Sequence, residues 1–343
     1  MKKQIFTAKN ISIFVASTTD NEALLLLENT VFGNKGIRYK HTDLKQTIDN
    51  LINPYFFYLY SENELVGFYC LCKRTINFNQ KPIDAFYGRY FISKYKGYGH
   101  GKLLKFQAVK YIEGIYTHPK LFYSYIEQNN IYSLNISKKQ NFITQALIQS
   151  FIFFRFSPKK DINIEKTSVR EIPIIKELIK NNYREYSLLL LENIGYNDNY
   201  FVYKDKENGE IVAGLQANPV LWKIIKIDGL LGRLLKIIDK IPYLNRMLNT
   251  DYQFLAIEGI YLKAGYKEDI LYKLLEHTLA HFKFNTALLQ LDQKDILAKK
   301  LVLDKKLGIV NQLNETIITH LMLKTEPYTI EENPIYISSF DFA

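Results

Sequence analysis

The chain has 343 residues, 47% of them apolar, and a formal charge of +10. That length exceeds what one average core fills, so two domains of roughly 150 residues each are expected, and the apolar share excludes a disordered chain. The charge is scattered in ones and twos without a Lys/Arg block, which implies solubility and weak steering and gives no reason to expect a nucleic-acid partner.

In the first half the apolar pattern alternates between strand and helix periods. A strand is expected over 11–15 and a helix over 21–28 behind an Asp20 cap. A second helix covers 44–51. Two aromatic and β-branched runs, 56–60 and 65–73, flank a turn at Glu62-Asn63-Glu64 and read as a hairpin. The only cysteines, Cys70 and Cys72, lie two apart on that second run, so they share a face and make a poor bridge. A third run, 83–92, enters a glycine-rich turn. Helical spacing follows through Leu103, Leu104, Phe106, Val109, Tyr111 and Ile112. Next come a buried-type strand over 121–126, a short helix over 131–137, and one or two closing strands over 142–156.

Ser157-Pro158-Lys159-Lys160-Asp161 reads as a linker, and after it the order restarts. A helix over 169–181 precedes strands at 200–203, 211–217 and 254–262. Helix 268–284, strand 287–291, helix 295–304 and strand 317–323 complete the series. Two similar orders imply a tandem duplication, with domains at 1–157 and 162–343. The fold class expected is α/β, each domain a mixed, mostly antiparallel sheet flanked by helices.

The strongest chemical signal is Lys96-Gly97-Tyr98-Gly99-His100-Gly101-Lys102, where a strand turns into a helix. Glycines allow the backbone close to a bulky anion, and a helix start offers unpaired N–H groups at the positive end of its dipole. Such a turn suits a pyrophosphate. A dinucleotide fingerprint is disfavoured because antiparallel-type strands precede it, and a P-loop because Gly101-Lys102 is followed by Leu103.

At these residues the chain resembles the GNAT N-acetyltransferase superfamily. Lys96, Gly99 and Gly101 fit its Arg/Gln-x-x-Gly-x-Gly/Ala loop, with Lys at the first position. Asn130, Ser133 and Phe142 fit its second signature, an Asn, a short helix and a Gly-Phe. The resemblance covers about residues 11–156. It implies that backbone groups of Phe91, Ile92 and Ser93 pair with the pantetheine arm of an acyl-CoA. Amides of Gly97, Tyr98, Gly99, His100, Gly101 and Lys102 would hold its pyrophosphate, and Asn130 and Ser133 would line it. The implied reaction is attack by an unprotonated amine on the thioester, its oxygen held by a backbone N–H near Phe91.

Two further positions depart from the family pattern. Ser137 stands where many members carry a Tyr that acts as acid toward the thiolate, and Asn141 replaces a Gly. Asn tolerates a left-handed backbone, so the second change is mild. Glu127 and Asp84 are the candidate bases. The implied activity is N-acyl transfer from acetyl-CoA or another acyl-CoA to an amine; the alternative is an inactive acyl-CoA sensor or scaffold.

The second half keeps one glycine in Leu262-Lys263-Ala264-Gly265-Tyr266-Lys267-Glu268 and puts Glu268 and Asp269 where an anion would approach, so a degenerate domain without cofactor is expected. Residues 221–248 form a basic amphipathic segment, read as packing on the protein itself and less readily as a membrane-surface element. His277 and His281 share a helix face without a third metal ligand. No run reaches the ~20 apolar residues of a membrane span. The first residues lack the apolar run of a signal peptide, and two thiols suit a reducing compartment, so a cytoplasmic protein is expected.

Overall fold

A computed structural model describes residues 1–33, 37–42, 44–227, 251–266, 269–313, 316–326 and 332–341. The chain divides into two units. Unit 1 comprises Met1–Ile76, Pro82–Gln145 and Thr319–Glu331; unit 2 comprises Asn77–Lys81, Ala146–Ile318 and Glu332–Ala343.

The elements of unit 1 begin with β1 (Lys3–Ala8), β2 (Ile11–Ala16), α1 (Asn21–Asn29), β3 (Ile37–His41) and α2 (Leu44–Asp49). They continue with β4 (Pro54–Ser61), β5 (Glu64–Phe78), β6 (Lys81–Ser93), α3 (His100–Ile115), β7 (Lys120–Glu127) and α4 (Ile131–Lys138). Asp20 caps α1 as expected, its Oδ1 accepting from the Ala23 N–H at 3.0 Å. Glu62 and Asn63 both take positive φ, 50° and 69°, which is the backbone a two-residue hairpin needs between β4 and β5. On the middle strand, Cys70 and Cys72 are buried and reduced, with their sulfurs 3.7 Å apart.

Unit 2 is built from β8 (Ile143–Phe154), β9 (Ile164–Lys166), α5 (Ile172–Asn182), β10 (Tyr200–Lys204), β11 (Ile211–Ile227) and β12 (Asp251–Leu262). After these come α6 (Asp269–Phe282), β13 (Thr286–Asp292) and α7 (Ile296–Leu303), and the chain then adds β14 (Ile318–Glu326). The strand order in unit 1 is β1-β2-β4-β5-β6-β7-β14, and in unit 2 it is β8-β13-β12-β11-β10-β9. β6–β7 and β12–β13 are parallel. The β1–β2, β2–β4, β4–β5 and β7–β14 pairs are antiparallel, as are β8–β13, β11–β12 and β10–β11.

The closing strands are exchanged relative to chain order. β8, read from sequence as closing the first half, pairs with β13 from Ile148↔Asp292 to Phe154↔Thr286. β14, read as closing the second, pairs with β7 from Glu127↔Thr319 to Lys120↔Glu326. Side chains decide this: Phe151 and Phe153 enter the core around Phe201, Leu255 and Leu275. Met322 enters the other core, with Phe86, Leu104, Ile112 and Phe122. The division therefore falls between Gln145 and Ala146, and the linker at 157–161 lies within unit 2.

A capping box starts the turn into α5. Ser168 donates from its N–H and its hydroxyl to Glu171 Oε2, at 3.0 and 2.8 Å. Lys204 Nζ donates to Glu171 Oε1 at 2.8 Å. The Lys204 bond, then those from Ser168, hold the Glu171 carboxyl down to about 2 from an ordinary 4.5. A depressed carboxylate stabilises the fold above its unfolded value and loses that contribution as pH falls through the folded one. Glu171→Gln is therefore expected to cost about 1 kcal/mol at pH 7, and urea midpoints should show the gap from wild type closing as pH drops from 4.5 toward 2.

Candidate functional site

β6 and β7 run together and then separate. Their parallel ladder joins Asp84–Tyr87 to Lys120–Tyr123. Three residues past its end, Tyr90 adopts φ 53°, a left-handed backbone that costs a bulky residue roughly 1–2 kcal/mol. The Arg89 guanidinium lies 4.4 Å over the Tyr90 ring and donates to its hydroxyl at 2.9 Å. The other edge of β6 stays attached to β5: the Lys94 N–H still donates to Val66 O at 2.8 Å. Phe91, Ile92 and Ser93 thus follow the left-handed Tyr90, with the edge toward β7 no longer in the ladder.

The glycine turn follows directly. Glu64 anchors its start, pairing with Lys94 and accepting from the Tyr95 hydroxyl at 3.0 Å. Gly97 and Gly99 have φ of 87° and 77°, and a Cβ on either would meet nothing within 4 Å. Glycine is required here by the backbone, and the space beside it is open. Gly99 is the N-cap of the 16-residue α3 and offers no side-chain cap, so the first amides of the helix keep their donors outward. Lys96 and Lys102 are exposed beside them. Gly101 is different, because a Cβ there would sit 3.2 Å from Phe91 and 3.5 Å from Ile136. His100 is only 6% exposed and stacks on Tyr98, ring centroids 5.7 Å apart.

The second signature forms the adjoining wall. Asn130 is the N-cap of α4, its side chain accepting from the Ser133 N–H at 3.2 Å. Asn141 takes φ 62°, the left-handed backbone its type tolerates. Ser137 is fully buried: its hydroxyl donates to Ser133 O at 2.9 Å and accepts from Lys105 Nζ at 2.6 Å. Glu127 ends β7 half-buried, near a cluster that strand periodicity did not disclose. Tyr39 and His41 of β3 pack edge to face with ring centroids 5.3 Å apart, and His41 meets Tyr90 the same way at 5.9 Å. Burial, then the charges of Glu127 and Tyr90, push the Tyr39 phenol up; burial, then Arg89, push His41 down to about 3, so its imidazole is neutral. Asp84 sits elsewhere, at the far end of β6, bonded to Lys73 at 2.8 Å and His118 at 2.6 Å. Seven strand residues separate it from Phe91, roughly 23 Å.

Unit 2 repeats the geometry and fills it. The β12–β13 ladder ends at Ile257↔Leu289, and Gly259 follows with φ 59°. Residues 335–341 lie against this divergence. The Ile335 N–H donates to Asp292 Oδ2 at 2.9 Å, Ser338 Oγ donates to Glu258 at 2.6 Å, and Ser339 Oγ bonds Ile257 O. Ile335, Tyr336 and Ile337 are buried, and a cavity of about 20 Å³, room for roughly one water, remains beside Glu258 and Gln290. In the turn before α6, Gly265 is open, Lys263 pairs with Glu210 at 2.6 Å, and Lys267 and Glu268 lie outside the described residues.

Of the basic segment, 228–248 also lies outside them; 221–227 ends β11, where Trp222 packs on Phe254 at 4.8 Å. His277 Nδ1 accepts from the Asp161 N–H at 3.1 Å. Among the described residues no helix is long and apolar enough to cross a membrane, and no group of three side chains is placed to hold a metal.

Solved structures share this architecture. Saccharomyces cerevisiae N-myristoyltransferase with bound myristoyl-CoA matches at TM-score 0.59 and 12% identity, over 94% of this chain and 84% of that one. The fold is that of the GNAT N-acyltransferases, in tandem. A GCN5-related N-acetyltransferase from Sphaerobacter thermophilus matches at TM-score 0.50 and 10% identity, over 83% and 82%. A conserved protein of Enterococcus faecalis V583, described as a probable N-acyltransferase, matches at TM-score 0.53 and 10% identity, over 92% and 73%. No family model and no curated protein matches the chain.

Proposed function

We propose that unit 1 transfers an acyl group from an acyl-CoA to an amine. The observation that carries this reading is the convergence of an open β6 edge with an uncapped α3 start and two side-chain-free glycines, in a GNAT fold. Backbone groups of Phe91, Ile92 and Ser93 would pair with the pantetheine amides as a further strand would. Donors from Gly97 to Lys102 would hold the diphosphate, with Lys96 and Lys102 adding charge. Asn130, its side chain committed to the cap, would contact the arm through what remains of its amide, and Ser133 would line it.

The reaction is direct. A neutral amine attacks the thioester carbonyl, the oxygen is held by an N–H beside Tyr90, and the C–S bond breaks to release the thiol. Glu127 is the base in this reading, because its charge reaches the Tyr39 and Tyr90 cluster at the end of the divergence. Glu127→Gln should lower kcat/KM for the amine about 100-fold or more while leaving CoA affinity within twofold. Equal losses in both would remove Glu127 from this role. The neighbouring unit is read as a domain that does not take CoA, since its own C-terminal segment lies where the arm would enter.

A second reading, an acyl-CoA sensor without turnover, draws on Ser137. A hydroxyl buried and bonded to Lys105 is a poor stand-in for an acid facing the thiolate. Calorimetry with acetyl-CoA, followed by thiol release with a panel of amines, separates the two: binding without release supports the sensor, and no binding sinks both.

A further inference from the structure

Lys105 is a charged residue on a buried, mostly apolar helix face. It lies on the face of α3 that carries Leu104, Ala108, Val109 and Ile112 into the core, and it is 2% exposed. Its Nζ is 4.1 Å above the Phe142 ring and donates to Ser137 Oγ at 2.6 Å. That hydroxyl has already given its proton to Ser133 O, so it can only accept. An ammonium carries three donors, and among the described residues this one is bonded to a single acceptor and to no carboxylate. The elements around it supply no counter-charge: α4 offers Ser133 and Ser137, and the segment behind it Phe142. On α3 itself the titratable groups ahead of it are exposed Lys102 and buried His100, whose Nδ1 has no partner.

We propose that Lys105 is the proton-linked partner of the diphosphate site: it gains a proton when a CoA diphosphate docks on the amides one helical turn ahead of it. This rests on unit 1 being the CoA site. Gly101 lies four residues before Lys105, so the two share one side of the helix, a turn apart. Two negative charges at the α3 start would supply the opposing field that the free protein lacks there, and they would favour the ammonium over the amine. Burial alone brings the free Lys105 down to about 7, so at neutral pH the amine and ammonium forms are both populated before docking. Ser137 then acts as the positioning hydroxyl, tying the charge to α4 and its Asn130 cap.

The linkage has a defined signature. Uptake on binding should be near zero at pH 6, about half a proton at pH 7 and approaching one at pH 8. Affinity should weaken up to about tenfold per pH unit between 7 and 9. The test is titration calorimetry with CoA, and with inorganic pyrophosphate, in buffers of different ionisation enthalpy. Lys105→Met, which keeps the side-chain volume, reports the protons that belong to the ligand alone. The proposal expects wild type to exceed this variant by the stated amounts. Equal proton counts with binding intact overturn it and leave the CoA site standing, whereas absence of CoA binding overturns both. Should Lys105→Met not fold, carbon-13 lysine NMR of the wild type decides: a Lys105 titration near 7 that rises with pyrophosphate supports the proposal, and one at the ordinary 10.5 refutes it.

Discussion

Gly99→Trp is expected to weaken acyl-CoA binding at least 100-fold while the protein stays folded. The residue has φ 77°, and a Cβ added there meets no protein atom within 4 Å. The backbone penalty is roughly 1–2 kcal/mol, small enough for a folded domain to carry. An indole there covers the amides that open α3, and a diphosphate needs those donors within hydrogen-bond reach. Calorimetry gives the affinity and urea unfolding the stability. Gly265→Trp is the matched control, with φ 88° and the same open surroundings in unit 2. It should impose similar strain and leave CoA affinity unchanged. A loss at Gly265 with none at Gly99 would move the site to the other unit.

Tyr336→Ala is expected to destabilise unit 2 by about 3–5 kcal/mol, as deletion of a large core ring does. Tyr336 is 3% exposed and packs edge-on against Tyr183 at 5.0 Å. Its backbone N–H donates to Ser187 O at 2.9 Å. Removing 332–343 altogether should go further, because Ile335 and Ile337 leave with it at roughly 1.5–3 kcal/mol each. Asp292, buried in the intact chain, also loses the Ile335 N–H. Burial raises the Asp292 carboxyl, so an acid shift that neutralises it should soften the loss of that bond. Chemical denaturation followed by near-UV signals of the tyrosines would show a cooperative loss; an unchanged midpoint would mean the segment is not part of the unit 2 core.

Local pattern carried most of the elements. Aromatic and β-branched runs placed β4 and β5, the 3.6-residue stripe placed α3, and the Asp20 cap placed the start of α1. β1 and β3 escaped because neither alternates fully buried residues with exposed ones. The exchange of β8 and β14 escaped for a different reason. Periodicity shows that 318–326 is a strand, but which edge it joins depends on pairing across almost two hundred residues.

The site divides along the same line. Gly97, Gly99 and Asn130 announced themselves through spacing, since their roles are local backbone roles. Tyr39, His41 and Arg89 meet only through tertiary packing, and no local pattern brings them together. Lys105 did leave a trace: a charged residue inside an apolar stripe, four positions beyond a glycine that opens the helix.

The crossing of β8 and β14 has a consequence for biosynthesis. β7 finds its outer neighbour only when 318–326 has been made, so a nascent chain carries the exposed rim of β7 until then. Closure of that sheet waits for a distant strand, with a loop-closure penalty set by the intervening length. A gene cut near residue 160 would leave the front fragment without the strand that seals its sheet, so the two fragments are not independent modules.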